Sequence, residues 1–163
     1  QMMQYSDIIF GDQNEWEVAS GVPHIPFEAL DENYVIDKEA YLAYFRKMHR
    51  LFPKCKKMVM AVRNQIASSH HTLSGLLYDA VEDQLYTTRI YDIEPIVDPM
   101  GVGDAFVAAY IHAHQKWGDK NQYCLDFSLS ASAIKNTIPG DQNLVSEEEI
   151  ISNMTSSGGR ILR

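Results

Sequence analysis

The chain has 163 residues, of which 45% are hydrophobic and 22% are charged, and its formal net charge is −8. This length and composition are typical of one globular domain that buries a core of its own. The acidic balance argues against a general nucleic-acid-binding role, because contact with many phosphates needs a basic surface. No apolar run approaches the roughly 18 residues that a membrane-spanning helix needs. We therefore expect neither nucleic acid nor a membrane as a partner.

The two cysteines, Cys55 and Cys124, lack the spacing of a disulfide framework or of a metal site. Residues 1–17 also lack the charged start and apolar centre of a signal peptide. We therefore expect reduced thiols and a cytoplasmic location.

The first half of the chain alternates apolar runs with a helical pattern. In chain order, the predicted elements are a strand at 6–10, a short helix at 14–21, a proline-rich loop at 22–33, a helix at 37–53 and a strand at 57–63. Asp37 is the expected N-cap of the long helix, whose buried face has Tyr41, Leu42, Phe45, Met48 and Leu51 at helical spacing. The run at 57–63 is typical of a strand covered on both faces of a parallel sheet.

The second half begins with a predicted β-hairpin at 73–94, whose turn lies near 82–84. Three helices follow, at about 104–117, 121–138 and 146–154, and residues 155–163 are expected to form a flexible tail. Ser146 and Glu149 have the spacing of a capping box. Strands that alternate with helices, together with a hairpin, predict a layered α/β fold.

The sequence VDPMGVGDAFVAAYIHAHQ, residues 97–115, places two glycines and a carboxylate at the start of a helix that is apolar on nearly all sides. Gly101 and Gly103 let the backbone approach a ligand closely. The amide groups of a first helical turn bind anions, phosphate above all, and the helix dipole favours an ionised Asp104 that can accept a proton. A plain turn followed by a helix cap explains the same residues, so the motif alone leaves both interpretations open.

This stretch resembles the signature Asp-Thr-x-Gly-Ala-Gly-Asp-x-Phe of the ribokinase-like (PfkB) carbohydrate kinases. Residues 131–150 and the ending SSGGRILR resemble one branch in particular, the 2-keto-3-deoxygluconate kinases, and so do residues 7–21 and 52–78. The resemblance implies a three-layer α/β/α fold and the ATP-dependent phosphorylation of 2-keto-3-deoxygluconate to its 6-phosphate. The alternatives are another ribokinase-like sugar or nucleoside kinase, a nucleotide- or sugar-binding module without catalysis, and a structural fragment.

The resemblance also implies roles for individual residues. Asp104 matches the general base, and the anion hole matches Gly101, Val102 and Gly103. The residues that order Mg²⁺ and phosphate through water match Asp12, Glu15 and Asp98. Asp12 departs from the family, which has Asn at this position. Met100 and Val102 also depart from it, because the family more commonly has small or polar residues there.

On the nucleotide side, the matching residues are Arg63, Ala133, Asn136 and Gly140. A surface ion pair explains Arg63 equally well, and plain helix packing explains residues 133–140 equally well.

Family members are about twice as long by resemblance, and the match runs to their C-terminal end. We therefore expect residues 1–163 to be the C-terminal part of a single kinase domain, without the N-terminal half that holds the sugar and the lid. Such a chain is expected to bind ATP and Mg²⁺, to be inactive by itself towards the sugar acid, and to self-associate through an uncovered sheet edge.

Overall fold

A five-stranded sheet between two helical layers organises the computed structural model, which describes residues 2–25 and 35–156. The strands are β1 (Ile8–Gly11), β2 (Lys57–Ala67), β3 (His70–Asp79), β4 (Gln84–Thr87) and β5 (Tyr91–Ile93). The helices are α1 (Gln13–Ser20), α2 (Lys38–Leu51), α3 (Val102–Trp117), α4 (Asn121–Lys135) and α5 (Glu147–Thr155), preceded by a 3-10 helix at Met2–Tyr5. This mixed α/β architecture confirms the predicted fold class.

The sheet is parallel on one side of β2 and antiparallel on the other. β1 pairs with β2 in parallel, whereas β3 runs antiparallel to β2, and both β4 and β5 pair with β3. The expected hairpin at 73–94 is present as β3 and β4. A second hairpin, formed by β2 and β3 through a turn at residues 68–69, is absent from the sequence prediction. β2 is therefore longer than predicted and has only one parallel neighbour.

Each face of the sheet has its own apolar core, because successive residues of a strand point to opposite faces. Val59 and Leu77 pack against α3, α4 and α5 in one core. Met58 and Leu76 pack against α1 and α2 in the other. The continuous apolar run of β2 thus reflects burial on both faces, as predicted.

Local capping signals located most helix ends correctly. The Asp37 carboxylate accepts a hydrogen bond from the amide of Ala40 at 3.0 Å, and Ser146 and Glu149 form the expected capping box. Leu51 was predicted to be buried but is 44% exposed, because Phe52, one residue later, takes the core position. Within the described part of the chain, no helix is long and apolar enough to cross a membrane.

Two predictions fall partly outside the described residues: the loop at 22–33, of which residues 26–33 are not described, and the tail, from residue 157 onward. The predicted end of the third long helix was too late. α4 ends at Lys135, after which the amides of Thr137 and Ile138 bond to carbonyls three residues back. This tighter turn brings residues 136–141 against the loop before α3.

Candidate active site

The backbone at the start of α3 depends on Gly101. Its φ is +74°, and a Cβ there would lie 2.2 Å from the carbonyl oxygen of Asp141. Gly101 is the N-cap of α3, and no side chain caps this helix. The amide of Ala105 bonds to the Gly101 carbonyl at 2.9 Å, so the amides of Val102, Gly103 and Asp104 are the ones without an intrahelical acceptor. This turn therefore presents unpaired N–H groups of the kind that can bind an anion.

Gly103 and Asp104 have no structural role that explains them. A Cβ on Gly103 would meet nothing within 4 Å, and its φ lies outside the left-handed range. The Asp104 side chain is exposed and makes no hydrogen bond or ion pair with any described residue. The explanation of Asp104 as a helix cap is therefore wrong. Open space remains above Gly103, and the carboxylate beside that space is free to act on a ligand.

This turn forms one wall of a cleft of about 400 Å³. The polar residues that line the cleft are Asp12, Glu15, Arg63, Asp104 and Ser132, and its apolar walls include Phe10, Leu73, Phe106 and Val107. Gly11 ends β1 at this cleft, and the carboxyl ends of parallel strands are where α/β folds bind ligands. Six of the predicted site residues are thus together: Asp12, Glu15, Arg63, Val102, Gly103 and Asp104.

Asp12 and Glu15 form a capping box at the start of α1. Asp12 Oδ1 accepts the Glu15 amide at 2.8 Å, and Glu15 Oε2 accepts the Asp12 amide at 2.8 Å. Both residues also line the cleft, and carboxylate oxygens suit Mg²⁺ and its water ligands. The described residues contain no group of three or more His, Cys, Asp or Glu side chains that could hold a metal. A magnesium ion here would therefore depend on these two carboxylates, water and phosphate.

Comparison with solved structures identifies the fold. The chain aligns with the crystal structure of 2-dehydro-3-deoxygluconokinase from Thermotoga maritima at 28% identity and a TM-score of 0.80, covering 95% of this chain and 43% of that one. A PfkB family carbohydrate kinase from Listeria grayi aligns at 26% identity and a TM-score of 0.74, covering 95% and 43%. The chain has the ribokinase-like fold. No protein-family model matches it, and no curated protein matches it in sequence.

The match lies in the C-terminal part of these PfkB carbohydrate kinases, and the chain spans less than half of their length. The ribokinase of Arabidopsis thaliana, solved with ribose and ATP, shares the fold at 19% identity and a TM-score of 0.69, covering 96% of this chain and 44% of that one. The suspected resemblance to the ribokinase-like family is therefore confirmed in three dimensions.

Asp98, the first acid of the ribokinase-like signature, ties two loops together and does not line the cleft. Its Oδ1 accepts the Met100 amide at 2.9 Å, and its Oδ2 accepts the Gly140 amide at 2.8 Å. These hydrogen bonds hold the pKa of Asp98 below its usual value. The geometry gives Asp98 a part in shaping the loop before α3 and offers no support for its predicted part in ordering magnesium.

The predicted nucleotide-side residues divide into two groups. Arg63, on β2, is exposed at the cleft and makes no ion pair with a described residue, so the surface-ion-pair explanation does not hold. Ala133 is fully buried, and Asn136 is buried with its Nδ2 donating to the Ser132 carbonyl at 3.0 Å. Gly140 has a φ of +82° and bonds to Asp98. Helix packing and turn geometry explain these three, and their nucleotide contacts stay predictions.

A second cleft, which the site prediction missed, lies between α3, α4 and α5. It measures about 270 Å³ and its lining includes Ala105, Ala108, Ala109, Ala131, Asn143 and Val145. Ala105 directly follows Asp104, so this cleft adjoins the first turn of α3. Asn143 Oδ1 is buried with no hydrogen-bond partner among the described residues. The alanines on one side of α3 were the sequence signal for it.

Proposed function

We propose that this chain supplies the ATP site and the catalytic base of a kinase that phosphorylates 2-keto-3-deoxygluconate to 2-keto-3-deoxy-6-phosphogluconate. The observation that carries the proposal is the first turn of α3. Its unpaired amides, the open space above Gly103 and the unpartnered Asp104 carboxylate share one cleft. Phosphoryl transfer needs donors for the phosphoryl oxygens and a base for the attacking hydroxyl, placed side by side.

In this proposal, each cleft residue has a task that its position supports. The amides of Val102 and Gly103 donate to the transferred phosphoryl group, and Asp104 accepts the proton of the sugar hydroxyl. The Arg63 guanidinium, which lines the same cleft, attracts the phosphates. Asp12 and Glu15 are the residues that would hold Mg²⁺ and its water ligands, and the ion would neutralise charge on the phosphates.

The second cleft is the proposed place of the adenine ring. Its small alanine side chains leave room for a flat apolar group, and such pockets typically pair apolar walls with a few polar atoms. The unpaired Asn143 Oδ1 is an acceptor suited to an amino group. Ala105 lines this cleft and Asp104 lines the first one, so an adenine ring bound here would lie next to the turn proposed to bind the phosphates.

The choice of sugar acid rests on the resemblance of residues 131–150 and on the T. maritima 2-dehydro-3-deoxygluconokinase match. Another ribokinase-like sugar or nucleoside kinase is the alternative. We propose that the chain is the C-terminal part of one kinase domain. Phosphoryl transfer to the sugar acid would then also require the N-terminal part of the aligned kinases, which this chain does not match. Positioning of the sugar hydroxyl in line with the phosphate provides much of the catalysis in phosphoryl transfer.

Self-association is also proposed, because β1 pairs only with β2 among the described residues and leaves one sheet edge open. Such edges readily pair with a second chain. Light scattering should give a mass above that of one chain of 18.5 kDa, and a monomer at all concentrations would contradict this.

Two experiments test the proposed function. Calorimetry of the chain with ATP should show binding to the wild type and to Asp104→Asn, because the carboxylate is not needed to hold phosphate. The chain should then be joined to the unmatched N-terminal part of the T. maritima kinase and assayed for ADP release with 2-keto-3-deoxygluconate, ribose and adenosine. In this chimera, Asp104→Asn should lower kcat by about 10²–10⁴-fold.

The control is Asp37→Asn, which changes a carboxylate at the start of α2 outside the cleft and preserves its capping ability. It should leave kcat unchanged. Near-normal turnover by Asp104→Asn would remove this residue from the mechanism. ATP binding without turnover on any acceptor would favour the non-catalytic binding module.

A further inference from the structure

Lys135 is a charged residue inside the core, where charges are rare. It is the last residue of α4, and its side chain has 0% exposure. A buried ammonium is costly unless nearby dipoles and charges compensate it. Its Nζ donates to the Ile138 carbonyl at 3.0 Å, and it lies at the C-terminal end of a helix, where the dipole is negative. The Ile138 carbonyl and the helix end offset part of this cost, and the surroundings of the lysine provide the rest of the explanation.

The lysine lies behind the loop that leads to the anion-binding turn. Asp98 carries the opposite charge, and its attraction to Lys135 adds to the hydrogen bonds from Met100 and Gly140 in lowering the Asp98 pKa. The same loop is bound to the end of α4 by two further contacts, in which the amides of Val97 and Asp98 donate to the Asn136 carbonyl at 2.8 Å and 3.2 Å. The end of α4, to which Lys135 belongs, is therefore fixed against the segment 97–101.

The charge balance of the cleft provides the reason. Its wall contains three carboxylates, Asp12, Glu15 and Asp104, against one cation, Arg63. A polyphosphate that enters this cleft meets more negative than positive side-chain charge. A cation buried in the protein interior acts over a longer range than an exposed one, because solvent and salt screen it less.

We propose that the Lys135 ammonium is a fixed positive charge of the phosphate site, acting from beneath the loop 97–101 on anions bound at Val102–Asp104. This inference rests on the proposed function, because it assumes that the turn binds phosphate. It assigns Lys135 the role of a positioning residue, which attracts the ligand without touching it.

A second buried lysine offers a matched control. Lys57 is 6% exposed, and its Nζ bonds to Asp119 Oδ1 at 2.5 Å and to Asn121 Oδ1 at 2.8 Å. Lys57 is the first residue of β2, and Arg63 follows six residues later, so the two are about 20 Å apart along the strand. Neutralising either lysine should lower the melting temperature, but only Lys135 should affect anion binding.

The test compares Lys135→Gln with Lys57→Gln, because glutamine is neutral and keeps a hydrogen-bond donor. Each protein is titrated with tripolyphosphate and with orthophosphate in a calorimeter. Lys135→Gln should bind tripolyphosphate about tenfold more weakly, because a weakly screened unit positive charge near the bound anion is lost. The loss should be smaller for orthophosphate, because it has less charge, whereas a loop that is merely loosened would weaken both anions equally. Lys57→Gln should bind both as the wild type does.

The wild-type chain provides a readout that needs no variant, which matters if Lys135→Gln fails to fold. The NH₃⁺ resonance of Lys135 should shift on addition of tripolyphosphate, and that of Lys57 should not. Equal tripolyphosphate affinity in Lys135→Gln and the wild type, equal weakening of both anions, or an unmoved Lys135 resonance in saturated protein would overturn the inference alone. A wild-type chain that binds neither ATP nor tripolyphosphate would overturn the proposed function and this inference together.

Discussion

Gly101 and Gly103 lie two residues apart, yet replacing them with alanine should have opposite effects on stability. In Gly101→Ala, an alanine at a φ of +74° costs about 1–2 kcal/mol from backbone strain alone. The new Cβ would also lie 2.2 Å from the Asp141 carbonyl oxygen, which belongs to the backbone and has little freedom to move aside. The total loss should exceed about 2 kcal/mol, or roughly 4–8 °C in Tm for a domain of this size.

In Gly103→Ala, the new Cβ meets nothing within 4 Å. Alanine is favoured over glycine in a helix by about 0.5–1 kcal/mol, so the variant should be as stable as the wild type or melt up to about 4 °C higher. The methyl group would occupy the space that we assign to phosphate. ATP affinity should therefore fall by about tenfold or more, as close backbone approach is lost.

Scanning calorimetry and ATP titration of both variants check these expectations. A stabilised Gly103→Ala that binds ATP like the wild type would show that phosphate does not occupy the space above this residue. A Gly101→Ala variant with wild-type stability would contradict the loop geometry on which the anion site depends.

Two other predictions concern side chains that the fold leaves exposed. Arg63→Met should change the free energy of unfolding by less than about 0.5 kcal/mol, because Arg63 makes no ion pair with a described residue. The same variant should bind ATP more weakly, and its ATP affinity should depend less on salt. Unchanged ATP affinity at low salt would remove Arg63 from the site. Hydrogen bonds from Arg46 and then Tyr78 lower the pKa of Asp83 to about 2. The pKa of an aspartate in the unfolded chain is near 4, so ionised Asp83 stabilises the fold above that pH, and this stabilisation is lost as the pH falls from about 4 to about 2. Asp83→Asn, which tolerates the φ of 52° at this position, should flatten the pH dependence of chemical denaturation in that range, and equal slopes in both proteins would refute the assignment.

Local signals made most of the fold predictable. Asp37 and Ser146 each cap a backbone amide three residues away, so their helix starts are visible in the sequence. The β2–β3 hairpin was missed because its turn, Ser68–Ser69, contains no glycine, proline or asparagine. The apolar run of β2 indicates burial on both faces but does not distinguish a parallel neighbour from an antiparallel one.

The geometry of the candidate site was predictable where its residues lie in one short motif. The Gly-x-Gly-Asp sequence located the unpaired amides and Asp104, because a helix start depends on a few adjacent residues. The spacing of Asp12 and Glu15 equals that of a capping box, and the structure shows that they form one in addition to lining the cleft. The burial of Lys135 was invisible, since a lysine at the end of a helix is usually exposed and only the packing of α4 reveals otherwise.

The most direct test of the account is a crystal structure of the chain with a non-hydrolysable ATP analogue. Phosphate oxygens are expected within about 3 Å of the amide nitrogens of Val102 and Gly103, with the Asp104 carboxylate beside the terminal phosphate. An analogue bound elsewhere, or a cleft in which side chains fill the space above Gly103 and the amides turn away, would contradict the central claim that the start of α3 is a phosphoryl-transfer site.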